Sequence, residues 1–142
     1  MTFDQWLSLG IWLSAATSVA LLAVGLQVPV RNGWRDDLAK LTRTNRRLMW
    51  GYATFVALTF VGFGVVTALL HGQMLAGDRE AGVIAALMAV WWTARLALDG
   101  ISLRHAPWPP GAIYVVAHAL LLVGFTGMAA VYWTVTIRAL AP

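Results

Sequence analysis

The chain has 142 residues, 60% of them hydrophobic and only 11% charged, whereas a soluble globular domain carries about twice that charged fraction. The net charge of +4 is concentrated in one segment, so it bears on membrane orientation rather than on nucleic-acid binding. The absence of cysteine excludes disulfides, thiolate metal sites, thiol catalysis and S-palmitoylation.

Four apolar stretches, 3–28, 48–70, 81–103 and 111–137, each meet the requirement of about 20 residues for a helix crossing a bilayer. Helices are the only reading, because lipid leaves an unpaired backbone unsatisfied and these runs lack the alternation of a barrel. The expected fold is an all-α integral membrane four-helix bundle, up-down-up-down, forming a single transmembrane domain over 1–142.

The first stretch opens Met1-Thr2-Phe3-Asp4 without a basic flank, and it is longer than a signal-peptide core. It is therefore expected to stay in the mature protein. Gly10, Ser14, Ser18 and Gly25 share one side, a small-residue face suited to close helix packing, while Gln27 lies on the far side. Pro29 is expected to end this helix.

A basic loop, 29–47, follows and holds Arg31, Arg35, Lys40, Arg43, Arg46 and Arg47. Trp34, Leu38 and Leu41 recur there at helical spacing. That pattern predicts an interfacial helix with its arginines among anionic headgroups. The alternative is a solvated charged loop.

On the second stretch Tyr52, Thr59 and Phe63 continue a stripe that begins at Asn45, and Gly72 follows the helix. Four helices with a basic first loop superficially resemble the membrane-associated glutathione-enzyme family. The stretch lacks that family's charged Arg/Asn/Glu pattern, so the resemblance assigns nothing.

The third stretch carries Arg95 and Asp99 one turn apart, within about 60° of Met88 and Trp92. Intramembrane charges are costly unless paired or employed. Trp91 and Trp92 lie at mid-span, where tryptophan faces protein or a ligand more readily than lipid tails. Pro107, Pro109 and Pro110 mark a short turn, after which Tyr114, His118, Phe125, Tyr132 and Thr136 line one stripe of the fourth stretch. Trp6, Tyr132 and Trp133 suit the outer boundary; Trp34, Trp50 and Trp108 suit the inner one.

Seven basic residues, the six of the first loop and Arg104 in the third, oppose Arg79 and Arg138 on the other side. The positive-inside rule then puts the first and third loops in the cytoplasm and both termini outside the cell membrane. Counting rise from the inner helix ends places Arg95 at a depth of about 12 Å and His118 at about 10 Å. Arg95, Asp99, Trp92, Tyr52, Tyr114 and His118 thus form the candidate ligand-binding cluster, in the cytoplasmic half. Arg95–Asp99 reads either as a structural salt bridge or as a holder of a carboxylate or phosphate. His118 reads as a packing residue or as a relay or ligand group.

His71 and His105 fall too far from His118 to share one iron with it. No metal site, catalytic residue or cofactor is assigned. The first functional expectation is an accessory or structural subunit of a larger membrane protein complex. The second is a binder or carrier of an anionic amphiphile, such as a lipid or quinone. The third is a small membrane enzyme with His118 as acid or base. Expected partners are anionic bilayer headgroups and either copies of the chain or a larger membrane protein, with no nucleic acid.

Overall fold

A computed structural model of the chain describes residues 1–102 and 111–141. The protein is all-α, with no strand among the described residues. Four helices are long and apolar enough to cross a membrane: α1 (Phe3–Arg31), α3 (Arg43–Leu69), α5 (Arg79–Ser102) and α6 (Ala112–Leu140). Two six-residue helices, α2 (Trp34–Ala39) and α4 (His71–Ala76), lie between them. The expected turn with Arg104, His105, Pro107, Trp108, Pro109 and Pro110 lies outside the described residues.

Several helix limits differ from those read in the sequence. Pro29 does not end α1, which continues to Arg31. Proline removes one N–H and its ring crowds the preceding turn, and here the helix closes two residues later, before Gly33 turns left-handed at φ 63°. Helix α3 begins at Arg43 rather than at residue 48, so its first turns carry the last basic residues of the loop. It ends at Leu69, and Gly72, which follows it as expected, lies inside the short helix α4. Gly77, at φ 82°, then caps α4.

The chain divides into two compact units, Met1–Ser14 with Leu69–Pro142, and Ala15–Ala68. In the first unit α5 and α6 run antiparallel. A side chain on Gly82 would strike Ala139, Trp133 donates its indole N–H to Thr93 Oγ1 at 3.1 Å, and Trp92 stacks on Phe125. The N-terminal turns of α1 pack on α6 in the opposite sense, with Gly10 against Val131 and Asp4 ion-paired to Arg138. Ile11, Met74, Ala85, Met88, Trp92, Tyr132 and Val135 are buried there. The stripe of Phe125, Tyr132 and Thr136 is the inward face of α6. Ser14, on the small-residue side of α1, is buried too and turns its hydroxyl back to the Gly10 carbonyl.

In the second unit Gly64 brings α3 close to α1: an added Cβ would stand 2.6 Å from Val19 Cγ2 and 2.9 Å from the Ala15 carbonyl oxygen. Ala15, Ser18, Leu21 and Thr67 are buried. Helix α2 occupies the segment where the interfacial helix is expected. Leu38 is its buried residue, and Trp34 meets Trp50 edge-on at 6.0 Å between ring centroids. Leu41 falls beyond the Lys40 cap and stays exposed.

Candidate functional site

The register of α5 on α6 sets the surroundings of Arg95. Its guanidinium pairs with Asp99 Oδ1 through Nη1, and its Cζ lies 5.4 Å from the centre of the Phe125 ring. The same ring stacks on Trp92, 5.3 Å away and tilted by 22°. Trp92 is fully buried, whereas 42% of the Arg95 side chain is exposed against 12% of Asp99. The aspartate is thus the enclosed partner, and the arginine spans from an aromatic floor to the helix surface. A cation over an aromatic face gains about 0.5–2 kcal/mol, more as water is removed. Among the described residues Asp99 is the only hydrogen-bond partner of Arg95, which leaves guanidinium N–H groups facing outward. Such a group can receive a carboxylate or a phosphate.

His118 and Tyr114 lie on the same stripe of α6 as Phe125, but nearer its start. Seven residues separate His118 from Phe125, about 10 Å of helical rise. The backbone of His118 therefore stands opposite the last turn of α5, not opposite Arg95. The sequence reading places Arg95 and His118 in the same half of the bundle, at about 12 Å and 10 Å from the inner helix ends. The Nε2 atom of His118 is shielded from solvent, and both His118 and Tyr114 are half-buried. Tyr52 belongs to the second unit, on α3, and 61% of it is exposed. The group that the first unit brings together is Trp92, Arg95, Asp99 and Phe125.

A second polar cluster forms near the start of α1 and escapes the sequence reading. Ser8 Oγ hydrogen-bonds His71 Nε2 at 2.9 Å, and the imidazole stacks on Trp12 with 4.9 Å between ring centroids. Ser8 and Trp12 are one turn apart on α1, while His71 opens α4. Asp4, Gln5, Ser8, Leu9, Trp12 and Leu75 line an open groove of about 410 Å³ beside this cluster. Asp4 is held there by Arg138 of α6. The serine–tryptophan spacing is visible in the sequence, but nothing in it pairs that face with a histidine 63 residues away.

Among the described residues no group of three or more His, Asp or Glu side chains is placed to hold a metal ion. Comparison with protein-family models, curated proteins and solved structures finds no significant match to this chain.

Proposed function

We propose that this small polytopic membrane protein is an accessory subunit of a larger membrane protein complex, working through association rather than through chemistry of its own. The observation that carries the reading is the outward face of α5. Ile84, Leu87, Trp91, Ala94, Leu98 and Ile101 recur along it at alternating spacings of three and four, the rhythm of a helix-packing seam. Trp91 is 39% exposed and lies about 18 Å from the first residue of the helix, at the middle of the span. A partner helix seated on this face would cover the part of the indole that remains exposed. Beside it, Ala94 leaves a gap that a neighbouring helix can fill.

The orientation that accompanies this reading puts the basic first connection in the cytoplasm and both termini outside the cell membrane. Native mass spectrometry of gently extracted protein tests the association. The wild-type chain is expected within a discrete heteromeric complex, and Trp91→Ala is expected to release a folded single chain. A wild-type protein that extracts only as a lone chain overturns the proposal.

The exposed N–H groups of Arg95 favour a second reading, a site for an anionic amphiphile such as a lipid or quinone. Its test is the small molecule that copurifies. Arg95→Leu should lose a bound anion that wild-type retains, and a wild-type protein carrying none removes the reading.

A further inference from the structure

We infer that the corner between α2 and α3 is a binding site for acidic phospholipid headgroups, in which Arg46 builds the corner while Arg31, Arg35, Arg43 and Arg47 meet the phosphates. This reading is independent of any partner protein on α5. It rests on the unequal roles that the structure gives to arginines crowded into one short segment.

Arg46 is engaged by backbone. Its Nε donates to the Leu38 carbonyl at 3.0 Å, and its Nη2 donates to the carbonyls of Ala39 at 2.9 Å and Leu41 at 3.4 Å. The Leu38 and Ala39 oxygens end α2, where a helix leaves carbonyls without partners and a cation is favoured, and Leu41 lies just beyond the Lys40 cap. Arg46 therefore locks α2 onto the first turn of α3, and the Trp34–Trp50 contact and buried Leu38 hold the same corner from its apolar side. Lys40 is paired with Asp37 at 2.8 Å.

Arg31, Arg35, Arg43 and Arg47 remain. All four are exposed, and among the described residues none makes an ion pair or a side-chain hydrogen bond. Asp36 is the one acidic side chain of the segment outside the Lys40 pair. Arg43 and Arg47 are one turn apart on α3, and Trp50 follows on the same face. The edge-on tryptophan pair is thus tied, through Trp50, to the face of α3 that carries Arg43 and Arg47.

The occupant follows from where the corner stands. Arg31 ends one candidate span and Arg43 begins another. The tryptophans mark the headgroup level, so the polyanion at that height is the phosphate layer of the bilayer itself. Guanidinium groups bind phosphate through paired N–H donors. A fixed corner offers them already oriented, so less side-chain freedom is lost on binding than from a flexible basic loop.

The experiment compares retention of phosphatidylglycerol and phosphatidylcholine by the purified full chain in neutral detergent, read by native mass spectrometry alongside thermal unfolding. Wild-type protein should retain phosphatidylglycerol in preference. The double variant Arg43→Gln/Arg47→Gln should lose about 25-fold of that preference, about five-fold per arginine, with unchanged unfolding temperature. Arg46→Gln should instead unfold at lower temperature while its folded fraction keeps the preference. Arg79→Gln, an exposed arginine at the start of α5, should leave the preference intact, which separates this corner from a general effect of positive charge. Equal retention of the two lipids by wild type, an unaltered preference in the double variant, or a normally stable Arg46→Gln protein without preference would each overturn the assignment.

Discussion

Arg95 and Asp99 share one ion pair but not one environment, since the carboxylate is the more enclosed of the two. Removing the arginine strands a charge away from water; removing both leaves an apolar helix face. Arg95→Leu should therefore destabilise the protein by about 3 kcal/mol, with Arg95→Leu/Asp99→Leu recovering most of the loss. Denaturant titration in mild detergent measures both, and a double variant as unstable as the sum of its single variants contradicts the account. The pair was legible in the sequence because its spacing is local and its surroundings are apolar. Its aromatic floor was half legible: periodicity put Phe125 on the right stripe, but the stagger of α5 on α6 decided which turn met Arg95. The Ser8–His71–Trp12 cluster was not legible. A histidine just after a span reads as a boundary residue until the chain fold presents it to a helix 59 residues earlier in the sequence at Trp12.

Helices here approach one another through glycine at particular positions, which makes neighbouring glycines unequal. Gly64→Ala pushes a methyl group against the Ala15 carbonyl and the Val19 side chain and should cost about 1–3 kcal/mol. Gly62→Ala, two residues away with nothing within 4 Å, should be neutral or stabilise by up to about 1 kcal/mol. Parallel unfolding titrations give the comparison, and equal effects would remove the close approach. At its other end α3 starts with Arg43 and has no acidic residue in its first turn, although its dipole is already positive there. Apolar length made the four long helices readable. Their ends were less so, because Pro29 is tolerated near a helix end and α4 is too short to display a period of its own.

For the molecule as a whole, composition carried the solvent and the number of spans, since length and hydropathy act residue by residue. It carried neither helix register nor the division into two units, which depend on side chains far apart in sequence. The orientation proposed from basic residues has a direct test, because the chain contains no cysteine. A lone thiol at Thr42→Cys should react with a membrane-impermeant maleimide only after the cytoplasmic face is opened, whereas Ala141→Cys should react in intact cells. The reverse pattern would invert the topology. A further consequence concerns synthesis. Asp4 leaves the ribosome long before Arg138, its ion-pair partner 134 residues later, and the early turns of α1 pack on α6. The first turns of α1 thus wait in lipid for α6, so the first unit assembles only after α6 has emerged. Premature truncation inside α6 strands α1 without its neighbour, and quality-control proteases should clear such fragments faster than the whole chain.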